Sequence, residues 1–216
     1  MRPGSESHLR RRRAGWDTRG VLLDEPVAPG ALYLPGLFGN TRPVELEIGA
    51  GKGAFLLARA RARPELNLLG VERARAYCRY AADRVRRAGL ENVRMVCADA
   101  EWLVHSCLRN RCLWRVHVYF PDPWPKHRHR RRRLLQAAFL ADVRRLLLPG
   151  GQLLVVTDHL DYLRQIQASV EAVGGFARVP FPQMADRNGE LVGTNFERKY
   201  IARGRNIYKL ACLCYA

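Results

Sequence analysis

From residue 44 onward, the hydrophobic positions alternate between short apolar runs typical of buried strands and longer periodic stretches typical of amphipathic helices. Glycine or proline ends several of these stretches, as Pro64 and Gly89 do. Strands are predicted at residues 44–48, 67–71, 93–97, 114–120, 152–157, 177–180 and 207–215, and helices at residues 54–63, 76–88, 131–148 and 161–173. This alternation indicates an α/β protein whose mostly parallel sheet is covered by helices on both faces, with an antiparallel last strand at one edge.

The first 40 residues follow a different pattern. Four arginines at positions 10–13 precede several prolines and glycines, with little hydrophobic periodicity. We therefore predict a flexible basic N-terminal extension over residues 1–40 and a single folded domain over residues 41–216. No apolar region follows the arginines and no apolar run approaches the ~18 residues of a membrane span, so we expect neither a secretory signal nor a membrane-spanning segment.

The net charge of +17, from 37 basic and 20 acidic residues, points to a polyanionic partner, with nucleic acid first and an anionic membrane surface second. Composition alone leaves another explanation open. All but four of the basic residues are arginines, which a genome rich in G and C would also produce. The position of the basic residues therefore has to decide between these explanations.

The six cysteines contain no CxxC pair. A zinc site that uses His105 or His117 is conceivable, but the spacing favours buried reduced thiols in a cytoplasmic protein. We expect no metal.

Candidate ligand-binding residues follow three predicted strands. The first strand ends in Glu47 and a loop with Gly49, Gly51 and Gly53, which lets a ligand approach the backbone at a helix N-terminus. This loop also fits the dinucleotide pattern GxGxxG/A. Acidic residues end the next two strands, Glu72 where a carboxylate can accept ribose hydroxyls and Asp99 near the position of an adenine amino group. Glu47 would repel a pyrophosphate and attract a sulfonium compound, which favours S-adenosylmethionine over NAD.

The fourth strand runs into the segment Phe-Pro-Asp-Pro-Trp-Pro-Lys at positions 120–126. Three prolines and an aromatic residue make a stiff loop, beside which a nucleic-acid base could stack. The following residues are almost all basic, as expected where a phosphate backbone lies against the rim of a site. Trp124 either stacks on the base or anchors the loop.

This segment and its basic run resemble the signature of the bacterial tRNA (guanine-N7-)-methyltransferases. The glycine loop, Gly70-Val71-Glu72, Asp99-Ala100, Thr157-Asp158 and Thr194-Asn195-Phe196-Glu197 resemble that family's motifs in the same order. The resemblance covers about residues 44–215. His127 departs from the family pattern, in which a second lysine is common.

The resemblance implies a Rossmann-like class I methyltransferase fold with a seven-stranded sheet, and methylation of N7 of guanine 46 in the variable loop of tRNA. It also implies a set of site residues. S-adenosylmethionine would contact Glu47, Gly49, Gly51, Gly53, Glu72, Asp99, Ala100 and Asp122. The tRNA substrate would contact Lys126, Asp158, Thr194, Asn195, Phe196 and Glu197. The RNA backbone would contact Arg128, His129, Arg130, Arg131, Arg132 and Arg133.

The chemistry of guanine N7 suggests what these residues have to do. N7 has a lone pair, so the site must supply alignment and electrostatics rather than a strong base. Asp122 is the candidate catalytic carboxylate, and Asp158 and Glu197 are candidate acceptors for guanine N1–H and its exocyclic amine. Two alternatives remain open at this point: an NAD-dependent oxidoreductase and a non-catalytic RNA-binding module. We expect tRNA as the partner of a monomer or homodimer.

Overall fold

The computed structural model describes residues 15–23, 28–30, 32–184 and 190–215. The strands are β1 (Leu22–Leu23), β2 (Val44–Ile48), β3 (Asn67–Val71), β4 (Val93–Val96), β5 (Leu113–Tyr119), β6 (Leu147–Thr157), β7 (Phe176–Val179) and β8 (Tyr208–Cys214). The α-helices are α1 (Leu34–Phe38), α2 (Ala54–Ala62), α3 (Arg75–Arg87), α4 (Ala100–Trp102), α5 (Ala137–Leu146), α6 (Leu160–Val173) and α7 (Asn195–Ile201). A π-helical turn covers Leu103–Cys107 and a 3₁₀ helix covers His127–Arg132.

The strands form one sheet in the order β1-β4-β3-β2-β5-β6-β8-β7. The first six of these strands in space are parallel, and β8 lies antiparallel to both β6 and β7. The prediction of a mostly parallel α/β sheet with an antiparallel last strand is confirmed, but that strand does not lie at an edge as predicted, because β8 pairs with β6 on one side and β7 on the other. The described sheet has eight strands rather than seven, because the two-residue β1 pairs with β4 at one edge.

Part of the predicted N-terminal extension belongs to the fold, which corrects the expectation of a flexible segment. Leu34 and Phe38 on α1 are buried in the main hydrophobic cluster, and Leu32 pairs with Leu108 in an isolated bridge. These apolar side chains cover the end of the sheet and so order the chain around them. The arginines at positions 10–13 lie outside the described residues.

The segment after β5 also differs from its predicted structure. Instead of one helix over residues 131–148, the chain forms the 3₁₀ helix, passes through an extended stretch at Arg133, and begins α5 only at Ala137. The backbone N–H of Leu135 donates to the hydroxyl of Tyr162 at 3.1 Å, which draws the chain toward α6 before α5 begins. The continuous hydrophobic pattern hid this break.

The cysteines agree only in part with the prediction of buried reduced thiols, because Cys97 is exposed and Cys112 is half-buried. All six are free, and burial raises the pKa of Cys112 and Cys212 to about 11. Among the described residues, no cluster of His, Cys, Asp and Glu side chains is arranged to hold a metal ion. Within those same ranges, no helix is long and apolar enough to span a bilayer.

Candidate active site

The parallel strands β2 to β6 place the loops that follow them along one edge of the sheet, where ligands of such folds bind. The glycine loop after β2 has a backbone that demands glycine. Gly49, Gly51 and Gly53 have φ angles of 74°, 53° and 70°. At Gly53, which precedes the first residue of α2, a Cβ would also lie 3.0 Å from the Cβ of Ala81 and 3.2 Å from Cδ1 of Leu57. The loop therefore packs directly on α3 and leaves the N-terminus of α2 open at this edge.

Glu72, at the end of β3, holds the glycine loop in place. Its Oε2 accepts a hydrogen bond from the backbone N–H of Gly51 at 2.9 Å, and its Oε1 accepts one from Ala74 at 2.8 Å. Each carboxylate oxygen has a second lone pair, so the half-buried Glu72 can still accept hydrogen bonds from a ligand.

Glu47 is the most unusual of the predicted acids. It is buried at the end of β2, and among the described residues its Oε2 has no hydrogen-bond partner. Burial, followed by the nearby negative charge of Glu72, raises the pKa of Glu47 well above its usual range. A buried carboxylate with an unpartnered oxygen is costly unless a donor or a positive charge completes it. The residues at this edge therefore fit a ligand that brings a cationic group.

Asp99 follows β4 and begins α4. Its Oδ1 accepts hydrogen bonds from the backbone N–H groups of Glu101 at 2.9 Å and Trp102 at 3.4 Å, which is an ordinary helix cap. Its Oδ2 lies 3.6 Å from Arg73, and nearly half of its side chain is exposed. Asp99 and the half-buried Ala100 thus border the site at the loop beyond Glu72.

The loop after β5 is held in an unusual backbone conformation. Phe120 and Trp124 have φ angles of 52° and 39°, a region that aromatic residues rarely occupy. The backbone N–H of Phe120 donates to the carbonyl of Val156 at 2.7 Å, so the turn begins at a fixed point of β6. Asp122 is exposed, and its carboxylate makes no hydrogen bond or ion pair with the residues that the structure describes. The loop therefore presents a carboxylate that is available to a ligand.

The basic run after this loop divides into exposed and engaged side chains. Lys126, Arg128 and Arg131 are exposed. The Cζ of Arg132 lies 5.1 Å from the ring centroid of Trp124, and the ring of His129 meets the same indole edge-on at 5.9 Å. These contacts support the interpretation of Trp124 as an anchor of the loop.

Two further arginines of the run are tied to α6. Arg130 pairs with Asp161 at 3.1 Å and keeps part of its side chain exposed. Arg133 is only 1% exposed, and its guanidinium donates hydrogen bonds to Pro123, Asp161 and Gln165 at 2.7–2.8 Å. The donors of Arg133 are therefore directed into the protein, an arrangement that its predicted contact with RNA did not include.

Asp158, directly after β6, is mostly buried and has a partner that the sequence did not reveal. Its Oδ2 accepts a hydrogen bond from Nη1 of Arg205 at 2.7 Å. The guanidinium of Arg205 also lies 5.0 Å from the ring centroid of Tyr200. An incoming donor at Asp158 would have to share or replace this ion pair.

The motif at residues 194–197 forms the start of α7. The hydroxyl of Thr194 accepts a hydrogen bond from the backbone N–H of Glu197 at 3.1 Å and caps the helix. The carboxylate of Glu197 is fully buried and accepts hydrogen bonds from Leu191, from Val192 at 3.0 Å and from Gly193 at 2.7 Å. Both oxygens of Glu197 therefore hold the preceding loop in this structure, an arrangement that the predicted contact with the guanine edge did not include.

The other two residues of this motif face outward. Asn195 and Phe196 are exposed, and Phe196 shows 53% of its surface. The ring of Phe196 lies 6.4 Å from that of Phe120 and 6.2 Å from that of Tyr200, and Phe120 and Tyr200 are 5.4 Å apart. This aromatic cluster joins the loop after β5 to α7. Sequence reasoning did not find Phe120 or Tyr200 as its members.

Comparison with known proteins identifies the family. A family model described as "Putative methyltransferase" matches residues 41–210. The tRNA (guanine-N(7)-)-methyltransferase of Rubrobacter xylanophilus is 36% identical over 209 residues, which cover 97% of this chain and 93% of the relative. The chain belongs to the tRNA (guanine-N7-)-methyltransferase family. The resemblance noted from the motifs is thereby confirmed. Another member of the tRNA (guanine-N7-)-methyltransferase family, from Halorhodospira halophila, is 37% identical and covers 90% of this chain and 84% of its own length.

Solved structures show the fold of this family member. The 16S rRNA methyltransferase KamB matches with a TM-score of 0.63 at 14% identity, over 88% of this chain and 99% of that protein. The 16S rRNA (adenine(1408)-N(1))-methyltransferase from Catenulisporales acidiphilia was solved with S-adenosylmethionine. It matches with a TM-score of 0.56 at 16% identity, over 83% of this chain and 88% of that protein. The expected class I methyltransferase fold is confirmed.

Proposed function

We propose that this chain transfers a methyl group from S-adenosylmethionine to N7 of guanine in tRNA, at guanine 46 of the variable loop. The 36% identity to a tRNA (guanine-N(7)-)-methyltransferase over almost the whole chain carries the proposal. Residues 41–216 form the catalytic domain together with β1 and α1, which pack on it. The enzyme works in the cytoplasm with tRNA as its partner, and it requires neither a metal nor another protein.

The methyl donor binds at the carboxyl edge of β2 to β4. The cationic end of the ligand would pair with the buried carboxylate of Glu47, and Glu72 would accept hydrogen bonds from the ribose hydroxyls. Asp99 and Ala100 border the adenine. Gly49, Gly51 and Gly53 keep side chains away from the ligand where the loop passes over it.

When bound, S-adenosylmethionine supplies a methyl group already activated by its positively charged sulfur. The chain has to align guanine N7 with that group and to stabilise the positive charge that develops on the purine. Asp122 is suited to the second task, because its carboxylate is exposed in the stiff loop after β5 and has no hydrogen-bond or ion-pair partner among the described residues. It acts through its charge and position rather than as a strong base.

Asp158 is the acceptor for guanine N1–H and the exocyclic amine. Its carboxylate stands at the end of β6, next to the aromatic cluster of Phe120, Phe196 and Tyr200. Phe196 has enough exposed ring surface to stack on the base, since base–aromatic stacking is worth about 1–3 kcal/mol per base. Thr194 and Asn195 contribute polar groups at the start of α7.

The rim that receives the RNA backbone consists of Lys126, Arg128 and Arg131, with His129, Arg130 and Arg132 as partly engaged neighbours. Exposed arginines without acidic partners offer donors to phosphate oxygens, which fix the register of the RNA but carry no sequence information. Asp158 therefore recognises guanine, and this rim binds the RNA backbone.

One assay tests the proposal. The purified chain is incubated with methyl-labelled S-adenosylmethionine and unmodified tRNA, and the tRNA is digested to nucleosides. We expect label in 7-methylguanosine, and no label when guanine 46 of the same tRNA is replaced by adenine. Label in another nucleoside, or none, would overturn the proposed reaction. Label that persists in the adenine-46 tRNA would overturn only the position.

A further inference from the structure

We propose that Arg133 is a positioning residue for methyl transfer, which holds the loop of residues 121–125, and Asp122 with it, at the end of β5. The inference rests on the proposed function and on the role of Asp122 within it. It assigns to Arg133 a task that differs from that of the exposed arginines beside it.

Each nitrogen of the Arg133 guanidinium donates a hydrogen bond to a partner within the protein. Its Nε donates to the main-chain oxygen of Pro123 at 2.8 Å, its Nη1 to Oε1 of Gln165 at 2.7 Å, and its Nη2 to Oδ2 of Asp161 at 2.7 Å. Its Cζ lies 4.8 Å from the ring centroid of Tyr162. Three of these four partners belong to α6, so the guanidinium connects the loop directly to that helix.

The loop needs an external support because its own backbone supplies few donors. Proline at positions 121, 123 and 125 has no N–H group. Among the described residues, the bond from Arg133 to Pro123 is the one hydrogen bond that reaches the main chain of residues 121–125. The positive φ angles of Phe120 and Trp124, which flank or lie within the loop, also require the surrounding structure to hold them.

The geometry calls for arginine in particular. A planar guanidinium can donate to three acceptors in fixed directions, whereas an ammonium group is a compact point charge. A lysine at position 133 could keep the ion pair with Asp161 but could not also bridge Pro123 and Gln165. Fold stability and loop position can therefore be separated by substitution.

The loop position matters because Asp122 immediately precedes Pro123. A misplacement of about 1 Å at a reacting centre can cost on the order of 100-fold in rate. Loss of the Arg133 bond would move Asp122 without removing it, and would leave the exposed rim of the basic run intact. The expected signature is a lower kcat with tRNA affinity preserved.

The test compares Arg133→Met, Arg133→Lys and Arg131→Met. Thermal unfolding, tRNA affinity across a salt series, and kcat and KM for 7-methylguanosine formation are measured for each. We expect Arg133→Met to lower kcat by on the order of 100-fold, with less than a threefold change in tRNA Kd. Arg133→Lys should recover most of the thermal stability but little of kcat. Arg131→Met, at an exposed arginine of the rim, should weaken tRNA binding and reduce its salt dependence, which Arg133→Met should not do.

Three results would overturn the proposal. A kcat that recovers in parallel with stability in Arg133→Lys would make the role purely structural. A loss of tRNA affinity and of salt dependence in Arg133→Met, with kcat retained, would make it an RNA contact. If Arg133→Met does not fold, Gln165→Leu, which removes one anchor of the guanidinium, should still lower kcat, and an unchanged kcat there counts against the proposal. Failure of the proposed reaction itself would show differently, as a wild-type chain that forms no 7-methylguanosine.

Discussion

The Nε2 atom of His117 lies 3.1 Å from Oε2 of Glu45, and both side chains are completely buried on neighbouring strands of the sheet. Arg59 makes a two-pronged ion pair with the same carboxylate at 2.7 and 2.8 Å, and the other ring nitrogen of His117 lies 2.7 Å from the hydroxyl of Tyr119. Burial opposes ionisation of Glu45, but the hydrogen bonds from Arg59 and His117 outweigh it and hold the pKa well below its usual range. This network packs α2 on the sheet at Glu45, two residues before Glu47 on the same strand.

His117 predicts how stability depends on pH. Burial lowers its pKa below 6.5, and the hydrogen bond to Glu45 only partly opposes this. As the pH falls below about 6.5, the unfolded chain takes up a proton that the folded chain refuses, so stability falls until the folded pKa is reached. Each unit of separation between the two pKa values is worth about 1.4 kcal/mol. Urea unfolding from pH 7.5 to 5 should show this loss, with a shallower slope in His117→Gln. The exposed His127→Asn should keep the wild-type slope, and equal slopes in all three would contradict the argument.

Glu47→Gln tests whether the buried carboxylate is kept for a ligand at a cost in stability. The folded pKa is raised by burial and by Glu72, so the ionised group becomes increasingly unfavourable as the pH rises above about 4.5. We expect the variant to melt at least a few degrees higher than wild type at pH 8 without ligand, since about 1 kcal/mol corresponds to roughly 2–4 °C at this size. S-Adenosylmethionine affinity should fall at least tenfold by calorimetry. The exposed Glu65→Gln is the control, and a less stable Glu47→Gln with normal affinity would refute the prediction.

The strands and the strand-end acids were predictable because each follows from local signals. A short apolar run closed by glycine or an acid marks both a buried strand and its carboxyl end, as at Glu47 and Glu72. Parallel strands then bring those ends together without any knowledge of tertiary contacts. The glycine loop, the loop after β5 and the antiparallel β8 were all found in this way.

The partners of charged side chains were not predictable in the same way. Arg133 looks like the other arginines of the basic run, and only its contacts with Pro123 and α6 set it apart. Glu197 did carry a local signal, because Thr194-x-x-Glu197 matches the pattern of a helix capping box. The resemblance to substrate-binding residues was given more weight than this signal. Whether a charged side chain is buried depends on which side of the chain faces the core. In an uninterrupted run of charged residues, the sequence does not show which of them face the core.

Asp122→Asn should separate catalysis from binding. The substitution keeps the size of the side chain and removes the negative charge that would stabilise the cationic purine. We expect kcat to fall by at least 100-fold, in the range observed when one stabilising group is removed from such a site. S-Adenosylmethionine and tRNA affinities should change by less than about fivefold. Asp142→Asn, at a carboxylate of α5 that pairs with His105 and Arg145, is the control. Near-normal turnover in Asp122→Asn would exclude the electrostatic role.

Glu197→Gln should act on the loop before α7 rather than on guanine selection. The amide has one acceptor oxygen, so its NH₂ group would face backbone N–H donors of Leu191, Val192 or Gly193. Leaving such buried donors unpaired costs about 1–3 kcal/mol. Hydrogen exchange should become faster at residues 190–197 and KM for tRNA should rise, while adenine-46 tRNA should remain unmethylated. The exposed Glu171→Gln is the control, and methylation at an adenine by Glu197→Gln would restore the base-reading role.

The salt dependence of tRNA binding should identify which arginines contact phosphate. Arg128 and Arg131 are exposed beside the loop after β5, whereas Arg61 and Arg63 are exposed at the far end of α2, near the opposite edge of the sheet. Each lost phosphate contact should reduce the slope of log K against log salt by about 0.7, the coefficient for single strands, to about 0.9, the coefficient for a B-form duplex. We therefore expect Arg128→Gln/Arg131→Gln to lower the slope by roughly 1.4–1.8 and Arg61→Gln/Arg63→Gln to leave it unchanged. Equal reductions in both pairs would mean that the binding depends on total charge, and an unchanged slope in the first pair would move the RNA surface elsewhere.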